Sequence, residues 1–387
     1  MVVAIDLPQT SPPRRPRIAV TLGDPSGIGP EIIAKLLSNP ANHQRADIIL
    51  LADKTELQAA ITDAGGVHVT ISSGSPGPHG TQILDDDSAG QYPTSRCEVS
   101  QASGARSIHQ LKRALKLVQV GDIDAIVFAP LNKSSLKLAG MAEEDELRWF
   151  ANQLDYNGVT SEINIAGPLW TARVTSHIGI EEVAQRITKE STLKAIQLLH
   201  RLRYLALSSL YLRKANTTRW ESGLSSPRLA VCALNPHNGE NGAFGRQEIE
   251  HIRPAVLAAR ELGIDVSGPF PCDTIFLKRE HFDGIVTMYH DQGQIAMKLL
   301  SFDGGVTVQG GLPVPVATPA HGTAFDIVGK NLAGMTSMQN AFDVAVKMAE
   351  RRIMKDAGVA FEMSSANEKN SVRAETAAVE VLTGSCC

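Results

Sequence analysis

Short β-branched apolar runs alternate along this chain with longer stretches whose apolar residues recur every three to four positions. R-I-A-V-T-L-G (17–23) is a strand-like run stopping at Gly23. D-P-S-G-I-G-P-E (24–31) follows it, then I-I-A-K-L-L, which has helical periodicity. This pattern predicts a strand, a tight turn and a helix. A-D-I-I-L-L-A-D (46–53) predicts a second strand feeding a helix near 54–64, and D-A-I-V-F-A-P (124–130) another strand after an amphipathic helix around 104–119.

The rhythm continues with strands over 172–177, 228–236 and 284–289, and helices over 190–200, 253–263 and 338–355. Strands alternating with helices predict an α/β protein with a mainly parallel sheet. Residues 203–227 exceed a normal connection and read as a helix extension plus a surface loop, or as an insertion near 203–227. Residues 1–16 read as a flexible leader and 356–387 as a flexible tail.

Composition narrows the function classes. The 387 residues are 43% hydrophobic and 20% charged, which excludes global disorder. Lys+Arg 37 against Asp+Glu 41 gives −4, so electrostatic nucleic-acid binding is not expected. No apolar run reaches the roughly 18 residues of a membrane helix, and the N-terminal stretch lacks an apolar core before a cleavage site. The expectation is a cytoplasmic protein with neither nucleic-acid nor membrane partner. Five cysteines without C-x-x-C spacing do not form a disulfide framework.

Three histidines sit at or just beyond expected strand ends, where α/β sheets place their sites. They are His177 in V-T-S-H-I-G, His237 in L-N-P-H-N-G-E-N-G and His290 in M-Y-H-D-Q-G. Three converging imidazoles would bind a divalent metal and leave positions open for substrate; spacing alone also allows three unrelated surface or turn histidines. Asp291 could orient its neighbouring imidazole, and Lys298 could hold an anion or move a proton. H-G-T-A-F-D-I-V-G-K-N (321–331) is a compact loop whose Asp326 could bond a ribose or adenine edge, or simply a rigid surface loop.

Together these segments resemble the PdxA family, the 4-hydroxythreonine-4-phosphate dehydrogenases and their paralogues. The matching stretches are T-L-G-D-P-S-G-I-G-P-E, A-P-L-N-K (129–133), T-S-H, L-N-P-H-N-G-E-N-G-A-F-G-R-Q-E (234–248), G-P-F-P-C-D-T-I-F (268–276), M-Y-H-D-Q-G and H-G-T-A-F-D-I-V-G. The last loop is also similar to the nucleotide loop of isocitrate and isopropylmalate dehydrogenases. The resemblance implies a two-domain α/β/α sandwich of that type, with the active site in the interdomain cleft. It divides the chain into 17–130 plus 305–355, and 131–304.

The same resemblance implies oxidation of a secondary hydroxyl of a small hydroxy acid by NAD or NADP, with probable loss of carbon dioxide. It implies a homodimer whose active site is shared between subunits, and a divalent metal (Zn, Mg, Mn or Co) on His177, His237 and His290. Lys298 matches the substrate lysine, Lys133 a cleft lysine, and Asp273 and Asp291 proton-transfer or supporting positions. His321, Gly322, Thr323, Ala324, Asp326 and Asn331 fall on the cofactor loop.

The substrate motifs depart from the family. M-A-E-E-D-E-L-R-W-F (141–150) puts Glu146 and Leu147 where a His–Thr pair binds substrate, and its carboxylates should repel a phosphate. Val316 stands where a substrate arginine is usual, and Thr307 where an Asn is common. Arg148 or Arg173 are the candidates to compensate. Three outcomes therefore stay open: a phosphorylated hydroxy acid, a non-phosphorylated carboxylated cis-dihydrodiol, or a catalytically degenerate scaffold.

Overall fold

The computed structural model describes residues 14–206 and 226–357, apart from Ser73, Ser75, His79 and Phe302. Most of the expected leader and tail, and most of 203–227, lie outside the described residues.

Among the described residues eleven strands form one sheet. They are β1 (Arg17–Thr21), β2 (Asp47–Leu51), β3 (Gln82–Ile83), β4 (Ala125–Phe128), β5 (Ser161–Ala166) and β6 (Leu169–Arg173). The remainder are β7 (Leu229–Cys232), β8 (Val266–Phe270), β9 (Gly284–Thr287), β10 (Val306–Gly310) and β11 (Val316–Pro319). Their order is β3-β2-β1-β4-β11-β10-β5-β6-β9-β7-β8. Parallel pairing holds on both sides, but β11–β10, β10–β5 and β5–β6 are antiparallel. Strands β1–β4, β10 and β11 make one half of the sheet and β5–β9 the other.

The helices are α1 (Gly29–Leu37), α2 (Pro40–Arg45), α3 (Lys54–Asp63), α4 (Gln101–Gln119), α5 (Lys133–Leu138) and α6 (Glu146–Gln153). They continue with α7 (Ile180–Arg186), α8 (Lys189–Ala206), α9 (Arg253–Glu261), α10 (Cys272–Ile275), α11 (His290–Leu300) and α12 (Thr336–Asp356). Strand alternation splits the core between the two faces. Ile18, Val20, Ile48, Leu50 and Val127 belong to one apolar cluster with buried residues of α1 and α12, which continues under the other half of the sheet to α8 and α9. Ala19, Ile49, Leu51, Ile126 and Phe128 face the α4 side instead. Both faces are covered, which is why these strands read as continuous apolar runs.

The run expected as a strand over 172–177 is corrected. β6 occupies Leu169–Arg173, and Val174 and Thr175 continue only through backbone bonds to Thr287 and Met288. Strands β3, β5, β8, β10 and β11 escaped the sequence reading. β8 contains Gly268 and Pro269, poor strand formers, while β5 and β10 alternate apolar and polar residues because one face lines a cavity.

Candidate functional site

The three histidines follow the C-terminal ends of β6, β9 and β7, which are neighbours in the sheet. Parallel pairing of β6 with β9 and of β9 with β7 brings all three loops out at one edge. The rings of His177 and His290 lie 5.7 Å apart. His237 sits instead on a loop with Phe244 at 6.2 Å. In that loop His237, Asn238, Glu240 and Asn241 all take positive φ, a conformation that costs side-chain-bearing residues energy. Glu248 holds the loop by accepting from the N–H groups of Leu234 and Asn235, each at 2.8 Å. Among the described residues no three His, Cys, Asp or Glu side chains are close enough to hold a metal ion. Within one chain the three imidazoles therefore do not converge.

The donor chemistry nevertheless suits a cation. His290 Nδ1 lies 2.7 Å from Asp291 Oδ1. His177 Nδ1 lies 3.3 Å from Asp145 Oδ2 and 3.4 Å from Glu144 Oε1. A carboxylate at Nδ1 fixes the tautomer and turns the Nε2 lone pair outward, the arrangement of metal-bound imidazoles.

Beside this pair opens a cavity of about 820 Å³. Its floor is the β5–β10 ladder, where Asn164 pairs with Thr307 and Glu162 with Gln309. These four polar residues share one face of the sheet, while Ile163, Ile165, Val306 and Val308 enter the core on the other. Thr307 Oγ1 donates to Asn164 Oδ1 at 3.2 Å. Lys133, Glu146, His290, Lys298 and His321 complete the polar wall. Asn132 positions Lys133 by capping α5, accepting from the Ser135 N–H at 3.0 Å. Lys298 Nζ donates to the Ala320 carbonyl at 2.7 Å.

The loop 321–331 borders the cavity through His321 and Gly322. Burial and, less strongly, the Lys298 charge hold the His321 imidazole below its ordinary pKa. The loop rests on the D-P-S-G turn: Ile28 N–H donates to the Thr323 carbonyl at 3.0 Å. A Cβ on Gly27 would stand 2.7 Å from Thr323 Cβ, so only glycine allows that approach. Ala324 and Asn331 take left-handed φ of 42° and 57°, and Asp326 is exposed at the start of a single 3-10 turn.

Several sequence-based placements are corrected. Val316 is fully buried beside Ile126 and Phe128, because β11 alternation turns it into the core. Leu147 is also buried and does not line the cavity. Asp273 is exposed on α10 and, like His237, does not line it. Neither arginine lines the cavity. Arg173 is buried against Glu162, with Nε 2.7 Å from Ser176 Oγ, and Arg148 Nε pairs with Glu144 at 3.0 Å. The acidic stretch is mostly committed elsewhere as well: Glu143 accepts from Asn152, and Asp145 caps α6. Only Glu146 of that stretch reaches the cavity. Sequence reasoning missed Glu162, Asn164 and Gln309. Their signal was the strict alternation in S-E-I-N-I-A and V-T-V-Q-G.

The sequence profile of the pyridoxal phosphate biosynthetic protein PdxA matches residues 44–345. A Pseudomonas aeruginosa protein, provisionally named 4-hydroxythreonine-4-phosphate dehydrogenase 2, is 45% identical over 354 residues, covering 88% of this chain and 99% of its own length. The 4-hydroxythreonine-4-phosphate dehydrogenase of Klebsiella pneumoniae superposes with a TM-score of 0.71 at 31% identity, over 87% of this chain and 98% of that one. A terephthalate 1,2-cis-dihydrodiol dehydrogenase from Burkholderia xenovorans gives 0.58 at 25% identity, over 86% and 98%. No described helix is long and apolar enough to cross a membrane. A profile and relatives that span most of the sequence establish that the chain belongs to the PdxA family, metal-dependent dehydrogenases acting on hydroxyl groups.

Proposed function

We propose that this protein oxidises the secondary hydroxyl of a small hydroxy acid bearing a 4-phosphate, with NAD or NADP as acceptor, in the cytoplasm. One observation carries the reading: Lys133, Lys298, Thr307 and Asn164 line the same cavity as His290 and the entrance of the 321–331 loop. His177, His237 and His290 would hold the divalent metal, and the bound ion would supply Lewis-acid polarisation of the reacting oxygen. The nicotinamide would take the hydride.

The chain's own residues do the rest. Asp291 and Asp145 orient His290 and His177 through Nδ1. Lys298, anchored on the Ala320 carbonyl, presents its ammonium to the anionic end of the substrate. Lys133, at the start of α5, is the candidate proton acceptor for the hydroxyl. The 321–331 loop, braced by the D-P-S-G turn, cradles the cofactor, with Asp326 toward its ribose.

A homodimer fits the same reading. His237 and Asp273 stand outside the cavity of their own chain, and α11 leaves Ile295 60% and Leu299 83% exposed beside it. A second subunit would cover those side chains and complete the metal set.

Glu146 and Glu162 in the cavity, together with the absence of any arginine from its described lining, favour a second reading: a carboxylated cis-dihydrodiol without phosphate. NAD(P)H formation by metal-loaded protein, assayed with 4-phosphohydroxythreonine beside a carboxylated cis-dihydrodiol, decides between them. Dialysis against a chelator should abolish turnover and a divalent metal restore it. Failure on both substrates in a protein that also retains no metal supports the scaffold alternative and sinks the proposal.

A further inference from the structure

Four polar side chains on the cavity's acidic side differ in what they already hold. Glu162 is paired with Arg173. Asn164 accepts from Thr307. Gln309 is 3% exposed, and its Oε1 has no hydrogen-bond partner among the described residues. Glu146 is 9% exposed at the first turn of α6, and its carboxyl accepts only from its own backbone N–H among the described residues, in the field of Lys133. The cavity wall thus holds two acceptors with capacity to spare: Gln309 Oε1, without a partner among the described residues, and Glu146, met only by its own backbone N–H. A buried acceptor left unmatched is costly, so the ligand that belongs here brings the donor.

Resting on the dehydrogenase reading above, we infer that Glu146 and Gln309 determine specificity by accepting a hydrogen bond from a hydroxyl or ammonium on the carbon next to the one oxidised. The shared chemistry is a vicinal donor. It is an ammonium in 4-phosphohydroxythreonine and a hydroxyl in a cis-dihydrodiol, so one wall serves either kind of substrate. Lys298, across at the Ala320–His321 side, takes the anionic group.

The test compares three compounds that differ at one carbon: 4-phosphohydroxythreonine (ammonium), 4-phosphothreonate (hydroxyl) and 3-hydroxy-4-phosphobutyrate (neither). The readout is the ratio of kcat/KM for each donor-bearing compound to that for the deoxy compound, in wild type, Glu146→Gln and Gln309→Leu. Wild type should favour a donor-bearing compound by at least about tenfold, the worth of one charge-assisted hydrogen bond. Both substitutions should collapse that ratio toward one, whatever happens to the absolute rates. A wild-type ratio near one overturns the inference without any variant, as does a ratio that neither substitution changes. The 4-phosphate reading fails separately, when wild type reduces no cofactor with any of the three but does so with a carboxylated cis-dihydrodiol, and the dehydrogenase reading fails when it reduces none with either class.

Discussion

Val316 and Glu146 are both departures from the family's substrate motifs, yet they do opposite things. Val316 is sealed in the core, so it cannot mark a lost phosphate contact. Val316→Ala should cost about 1–3 kcal/mol of stability through the cavity it leaves, with KM unchanged; a shifted KM at intact stability would return the residue to the site. Glu146 faces the cavity, and burial is the first reason its carboxyl is pushed above the ordinary value, with Glu162 and Asp145 reinforcing it against Lys133 and its own backbone N–H. A carboxyl with a raised folded pKa binds its proton more tightly when folded. Its contribution is therefore present below the unfolded pKa and lost as pH rises through the folded one. The melting-temperature advantage of Glu146→Gln over wild type should grow between about pH 5 and pH 8. A gap that does not change with pH would show that burial does not raise the Glu146 carboxyl.

At the scale of elements, the site depends on close helix packing behind it. α4 meets α5 at Gly104, where an added Cβ would lie 1.9 Å from the Ser135 carbonyl oxygen. Neither backbone can yield without moving α5, whose first residue is Lys133. Gly104→Ala should therefore lower stability by about 1–3 kcal/mol, an overpacking cost. It should also lower kcat/KM through Lys133, and a melting curve unaltered by the substitution would refute the packing argument. The elements legible in the sequence were those with long uniform patterns: β1, β2, β4, α4, α8 and α12 bury whole faces. β5 and β10 were not legible, because their alternating polar residues line the cavity and read equally well as loop. α6 was hidden too, its N-cap Asp145 lying in a run of acids that suggested only charge.

For the whole molecule, the exposed apolar residues of α11 are the argument for a second subunit. Leu299→Glu should shift the protein to a monomer in sedimentation velocity and reduce bound metal together with activity. A monomeric variant that retained full metal would show that one chain suffices. The order of the motifs along the chain was enough to identify the family, because each motif is carried by a local run of residues. Local pattern also fixed the α/β class, since strand and helix periodicities are properties of neighbouring positions. Which acid of 143–146 faces the cavity, that Arg173 is spent on Glu162, and that Val316 is core were decided only by tertiary structure. The physical reason is that burial and pairing depend on residues brought together from distant segments. Thr307 meets Asn164, and Lys298 meets Ala320, only once β10 has paired with β5 and α11 has packed beside the sheet.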